Sequence, residues 1–420
     1  MRAGRCGVMA GGAVVRTLPT ILTIVTVFAC AHGRQPSFQG LGDFPGWDFY
    51  SAAAAVSGDG NVVVGVSHSG WGTEAFRWTE TEGMVRLAIP GITLPDGWCR
   101  TVAAAVSADG SVIVGGYDEP DENSGSGYRT QPFRWTEAEG MVALPGMPAD
   151  SMWVSAYDIS ADGSVLVGSA YCGIAFRWTA ETGAVDLGGL DGYTWDGAEA
   201  VSADGQAVAG GSSTGNSPRE AWRWTVSDGP EGLGDLEGGS FHSVPRAISA
   251  DGTTIVGWGH VEDPQEGGST PEAFRWTAEG GMAGLGDLPG GAYSSFATDT
   301  SADGSVVVGY SHTSGSRGYE AFVWDEAHGM RRLCDILNDE FGIDMSAWTW
   351  TRARAISDDG TVIVGTGDNP SGDREAWVAV IPEPHALFLL AGGALSVFLK
   401  RNRVFCWGIS RWGRMRRTRG

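Results

Sequence analysis

One short signature recurs seven times along the chain and limits the fold more than any other feature of the sequence. Val56-Ser57-Gly58-Asp59-Gly60 runs into Asn61-Val62-Val63-Val64-Gly65. Its relatives carry aspartates at Asp59, Asp109, Asp162, Asp204, Asp251, Asp303 and Asp359, 42 to 56 residues apart. Self-similarity at such a period marks solenoids, propellers and arrays. Each copy holds four strand signals. An Ala-rich run (52–57) meets an Asp-Gly turn, a strong hairpin signal between apolar runs, and a β-branched second strand follows (62–66). Glu74-Ala75-Phe76-Arg77-Trp78 reads as the third strand. The fourth falls at 84–87, a position that later copies fill with Gly286-Asp287-Leu288-Pro289-Gly290. Four antiparallel strands per unit, repeated radially, describe propeller blades. The sequence therefore predicts an all-β fold, a seven-bladed β-propeller of four-stranded antiparallel blades over residues 40–380. The 66 glycines, costly inside helices, predict almost no helix.

The seventh unit stops after its third strand, Glu375-Ala376-Trp377-Val378-Ala379. Its missing fourth strand is expected at the other end, in Gly40-Leu41-Gly42-Asp43-Phe44-Pro45-Gly46. An N-terminal strand would then close the last blade and remove an edge open to aggregation.

The two ends read as addresses. Residues 1–31 combine Arg2, Arg5 and Arg16 with an apolar run (22–28) and Ala29-Cys30-Ala31, the layout of a secretory signal peptide; a lipoprotein signal at Cys30 is the weaker alternative. At the other end, Pro382-Glu383-Pro384 precedes a mostly apolar run (385–399), followed by Lys400, Arg401 and Arg403 and a basic tail over 404–420. This three-part layout over 381–403 resembles the PEP-CTERM sorting signal. The resemblance implies transient inner-membrane anchoring, cleavage by an exosortase, and release to the cell surface or exopolysaccharide. The repeats, over 41–380, resemble the HAF family of bacterial extracellular repeats. The family's His position is Glu here in five copies (Glu74, Glu220, Glu272, Glu320, Glu375), so no role of that His carries over.

All 50 acidic residues lie within 32–399, against 17 of the 28 basic ones. A surface so acidic repels nucleic acid and anionic lipid, which excludes nucleic acid as a partner. Cys99, Cys172 and Cys334 are an odd number without metal-ligand spacing, which allows at most one bridge or three buried thiols and no disulfide framework.

Among repeated residues, Phe76 and Trp78 with their equivalents share one strand face and are expected in the core between blades. Arg77, Arg134, Arg177, Arg223 and Arg275 are expected to latch onto the turn aspartates. Asp in such a turn usually bonds its own backbone, so no cofactor is assigned, calcium at the turns or the acidic loops being the minor alternative. Gly211-Ser212-Ser213-Thr214-Gly215 matches a nucleophile pattern without the strand-to-helix context that gives it meaning. His68, His260 and His312 follow second strands in a common phase.

A binding face is suggested by the aromatics Trp47, Trp98, Trp153, Trp195, Phe241, Tyr293 and Trp350, each 9 to 12 residues before a turn aspartate. They fall where the chain leads into each first strand. The variable loops between second and third strands open on the same face, with acids at Asp118, Glu119, Asp121, Glu122, Glu262, Asp263, Asp368 and Asp373. The expectation is a non-enzymatic surface or matrix protein binding polysaccharide or a surface protein through that face. The alternative is a glycosidase or lyase using acids near the channel.

Overall fold

A computed structural model describes residues 34–382, apart from 47, 88–98, 126, 148–152, 172, 216–218, 266 and 314–317. In the first repeat the four strands are Ser51–Val56, Val63–Ser69, Gly72–Thr79 and Gly83–Arg86. The same succession of antiparallel neighbours recurs to the end of the chain, giving five four-stranded sheets and one of eight strands among the described residues. In the eight-stranded sheet the first and second repeats are joined by a short parallel pairing, Gly72 with Cys99 and Thr73 with Arg100.

The fourth strands end earlier than the sequence suggested. Gly83–Arg86 and Gly281–Gly284 form them, and Gly286-Asp287-Leu288-Pro289-Gly290 is the link to the next unit. The same offset applies at the N-terminus. Ser37–Gly40 pairs antiparallel with the third strand of the last repeat, Arg374–Val380, in register from Ser37 opposite Val380 to Gly40 opposite Trp377. Residues 41–46 are a link, and the fold begins a few residues before 40. Helix is confined, among the described residues, to short turns at Leu333–Asp335 and Ile336–Glu340, as the glycine content predicted; they fill an insertion after the sixth repeat's fourth strand and bury Leu333, Ile336 and Leu337.

Each Asp-Gly turn is built the same way. Ser57 Oγ donates to Asp59 Oδ1 at 2.6 Å and accepts the amide of Val62 at 2.9 Å, while Asp59 Oδ1 accepts the amide of Asn61 at 2.9 Å. Successive turns are then joined by backbone hydrogen bonds. The amides of Asp59, Ala108, Ala161, Ala203, Ala250 and Ala302 donate to the carbonyls of Ala108, Ala161, Ala203, Ala250, Ala302 and Asp358. Asp358 N–H donates back to Gly58, so the series returns to its start.

Between units the cores are apolar. Phe76, Phe133, Phe176, Trp222, Phe274, Phe322 and Trp377, one from each third strand, are all at most 1% exposed. Phe76 packs with Val362, Val364 and Val378 of the last repeat, and Trp377 packs with Val308 and Val323 of the sixth. A hydroxyl ties neighbouring units above five of the cores: Ser295 Oγ accepts the amide of Ala273 at 2.9 Å and donates to the carbonyl of Gly286 at 2.6 Å. Ser51, Thr101, Ser243 and Thr351 accept the corresponding amides of Ala376, Ala75, Ala221 and Ala321. Sheets packed face on face in sequence, the last against the first, make a β-propeller.

The glycine in each second strand has a steric cause. Every first strand is bulged, as between Ala53 and Ala55, and the bulge turns a carbonyl toward the second strand. A Cβ on Gly257 would lie 2.0 Å from the carbonyl oxygen of Val244, and one on Gly65 would lie 2.1 Å from that of Ala52.

Candidate functional site

First-strand starts, second-strand ends and third-strand starts meet at one end of each sheet, as Ser51 opposite Ser67 and Ser67 opposite Glu74 show. That end carries the lead-in aromatics. Trp153, Trp195, Phe241 and Trp350 are exposed, at 42%, 46%, 44% and 38%. Tyr293 is half-buried, its hydroxyl turned to Glu272; burial, then the Glu272 charge, raises its pKa above the ordinary value. Trp47 and Trp98 lie outside the described residues, as do Glu383 and Pro384; Pro382 is the last residue described.

Two of these aromatics share a groove. Trp153 and Trp195 line an open depression between the third and fourth repeats with Tyr157, Tyr171, Glu199 and Arg219. Tyr171 is 50% exposed and Tyr157 39%. The lead-in segments are pinned to the preceding repeat: Asp196 N–H donates to the Gly173 carbonyl at 2.9 Å, and Trp153 pairs in parallel with Thr130. A Cβ on Gly173 would meet Trp195 Cα at 2.4 Å, so that glycine permits the approach. The rings are thus held at a fixed rim.

A second cluster, unread in the sequence, spans the fifth to seventh repeats. Trp258 meets Phe296 edge-on at 5.4 Å, Phe296 stacks on Tyr310 at 5.0 Å, and Tyr310 meets Tyr319 at 5.3 Å. Tyr319 in turn meets Trp350 at 6.2 Å. His242 and His260 stack at 4.6 Å at the near end, and burial lowers both pKa values, which keeps the rings neutral at pH 7. Arg352 lies over Tyr310 and Tyr319 at 4.9 and 4.6 Å. Trp350 has φ of 50°, the one positive φ of a non-glycine residue among those described. It sits in a bulge between Thr349 and Arg352 and packs on Gly318. Strained bulky residues of this kind cluster at functional sites.

Other expected residues have structural partners. His68, His260 and His312 belong to second strands, stacked on or against Tyr50, His242 and Tyr319. Ser212 lies in a strand and donates to Asp196. The turn aspartates are occupied by their own turns, so the arginine latch takes another form. Arg177, Arg223 and Arg275 donate from Nε to the carbonyls of Gly205, Gly252 and Gly304, the turn glycines of the next repeat. Arg77 and Arg134 pair instead with Glu82 and Glu139 across their own hairpins. The acids of the second repeat's loop are also engaged: Asp118 accepts from Thr130 and faces Arg100 at 3.6 Å, and Glu119 pairs with Arg129. Asp368 pairs with Arg374. Among the described residues no three His, Cys, Asp or Glu are grouped to hold a metal ion.

Two first-strand carboxyls stand out. Burial raises the pKa of Asp158 to about 6 and that of Asp299 to about 7. Each accepts two backbone amides, its own neighbour's and one from the next repeat: Ile159 and Val201 for Asp158, Thr300 and Ile356 for Asp299. Both oxygens of each are taken by backbone amides, and one of the two ties its repeat to the next.

No family model matches the chain, and no curated protein matches it. Solved structures do. The β-propeller domain of the trilobed protease from Pyrococcus furiosus is 11% identical, over 79% of this chain and 94% of that one, with a TM-score of 0.48. The β-propeller domain of Cps50 (Swd1) from Myceliophteria thermophila is 10% identical over 82% and 100%, at 0.46. The hydrazine synthase of Kuenenia stuttgartiensis is 14% identical over 79% and 94%, at 0.45. Identities this low say nothing of what the chain binds.

Proposed function

We propose that this chain is an exported, seven-bladed β-propeller that binds carbohydrate without cleaving it, through the face carrying the lead-in aromatics. Seven blades are supported by the turn-to-turn hydrogen bonds that pass through seven turns and return to the first. The eight-stranded sheet counts as two blades, because only two residue pairs link its halves. The observation that carries the binding reading is the groove of Trp153, Trp195, Tyr157 and Tyr171, four exposed rings on a rigid rim with Glu199 and Arg219 beside them. Aromatic faces stack on the apolar faces of sugars, and a few polar groups set orientation. A non-catalytic role is favoured because the two carboxyls with strongly raised pKa are tied to backbone amides.

Screening the full chain on a glycan array, with product analysis of each hit, tests this. Binding without turnover that Trp153→Ala and Trp195→Ala abolish is the expected result; a silent array, or cleavage of a bound glycan, overturns it. Export rests on the sequence signals at 1–31 and 381–403, with an exosortase as processing partner. Replacing Pro382-Glu383-Pro384 by Ala-Ala-Ala should then retain the protein in the membrane fraction, and unchanged release would refute the sorting reading.

A further inference from the structure

We propose that Arg352 and Arg354, with Trp350, Tyr310 and Tyr319, form a site for an anionic substituent on a sugar ring. The proposal rests on the carbohydrate-binding reading above and names the chemistry of its ligand. It starts from an anomaly of pairing. In a chain with 50 acidic and 28 basic residues, an arginine should find an acid or a carbonyl. Every other described arginine does. Among the described residues, Arg352 and Arg354 alone have neither, and meet only ring faces: Arg352 over Tyr310 and Tyr319, Arg354 over Tyr310 at 6.0 Å. Arg352 Nε is buried with no hydrogen-bond partner. A guanidinium presents a rigid fork of donors that matches a carboxylate or sulfate in two parallel bonds. An anion is the group that completes it.

The surroundings fit a sugar as the carrier. Arg354 is exposed and Arg352 half-buried, both on the strand Thr349–Ile356 that also carries Trp350. Trp350 is exposed and held in a left-handed bulge immediately before Arg352, and its ring lies 6.2 Å from that of Tyr319, over which Arg352 sits. Burial lowers the Arg354 pKa below the ordinary guanidinium value, and the neighbouring charges of Arg352 and Arg246 add to this while Tyr310 opposes it. A bound anion relieves that repulsion between guanidinium groups. The strongly acidic remainder of the surface disfavours a dense polyanion, so the ligand is a ring with one charge, or a chain with charges spaced beyond the Debye length of about 8 Å in physiological salt.

Titration calorimetry on the full chain discriminates, with three probes: a galacto-oligosaccharide ending in a single galacturonate, its methyl ester, and a singly sulfated galacto-oligosaccharide of equal length. A charged probe should bind at least ten-fold more tightly than the neutral ester, and which of the two does so identifies the anion. Arg354→Gln should erase the preference while leaving neutral binding and the melting temperature unchanged. Arg352→Lys, which keeps the charge but loses the fork, should weaken the charged probe several-fold. Equal binding of charged and neutral probes overturns the anion site and leaves the carbohydrate face standing. A preference that survives both substitutions places the anion elsewhere and refutes this assignment. Failure of all three probes overturns the anion site, and only a silent glycan array as well overturns the carbohydrate reading.

Discussion

At the scale of single residues, two kinds of aspartate pull stability in opposite directions with pH. The turn aspartates, such as Asp109 and Asp251, have pKa values lowered by the hydroxyls and amides that donate to them. A depressed folded pKa gives stability that is present above the unfolded value near 3.8 and lost as pH falls below it. Asp158 and Asp299 do the reverse. Burial raises them to about 6 and about 7, so the folded state holds protons that the unfolded state has released, and stability falls as pH rises from about 4 to about 7. Each proton taken up is worth at most about 1.4 kcal/mol per pH unit in that window. Thermal melts between pH 4 and 8 should therefore peak on the acid side, and Asp299→Asn should flatten the slope even where it lowers the whole curve through loss of one amide bond. An unchanged slope in Asp299→Asn would show that this carboxyl titrates normally. The turn aspartates could be read in advance because Asp-Gly chemistry is local. Asp158 and Asp299 could not, since their burial and second amide come from a repeat 43 or 57 residues away.

Elements explain why the repeat looks as it does. The bulge in each first strand drives a carbonyl against the second-strand glycine, so Gly257→Ala should cost about 1–3 kcal/mol by overpacking. Gly125, with open space around its Cβ position, is the control and should be neutral; equal denaturant midpoints for the two variants would refute the steric account. Ser295→Ala tests the joint between units. It strands the Ala273 amide in a buried setting and should cost about 1–3 kcal/mol, a loss that chemical denaturation resolves. Strand identity was readable wherever turn and periodicity agreed, as at Val62-Val63-Val64-Gly65. The fourth strand was displaced by a few residues because Gly83–Arg86 is short and half-exposed, without the alternation that marks a strand, while the Gly-Asp-Leu-Pro-Gly link draws the eye. The hydroxyl joints were missed for a different reason: nothing local distinguishes Ser295 from any other serine. The aromatic lead-ins were legible from their recurrence 9 to 12 residues before each turn aspartate. The Arg352 cluster was not, because Trp258, Tyr310 and Arg352 come together only through the packing of successive repeats.

For the molecule as a whole, the deciding question is what holds the first repeat to the last. Three separate devices act there. Ser37–Gly40 supplies the outer strand of the last sheet, Ser51 takes the amide of Ala376, and Asp358 donates to Gly58. Arg34 adds a clip, reaching the carbonyls of Gly60 and Asp59 at 2.6 and 2.7 Å, so the closing strand is tied to the turn of the first repeat as well as to the last sheet. Repeat arrays that contact only their neighbours unfold from their ends, and a ring removes those ends. Closure was legible from the shortage at one terminus and the surplus at the other, although the strand itself lies just before the segment expected. Deleting residues 34–40 should then do more than remove four strand pairings. It exposes the edge of Arg374–Val380, removes the Arg34 clip, and weakens the joint between the first and last repeats. The expected outcome is a lower melting temperature, a broadened transition and concentration-dependent association through the bared edge. A synthetic peptide of residues 34–42 added in trans should restore the sharp transition by filling the vacant edge. If the truncated chain instead melts as sharply and as high as the full one, the ring is held by the turns and cores alone and the N-terminal strand is only a cover.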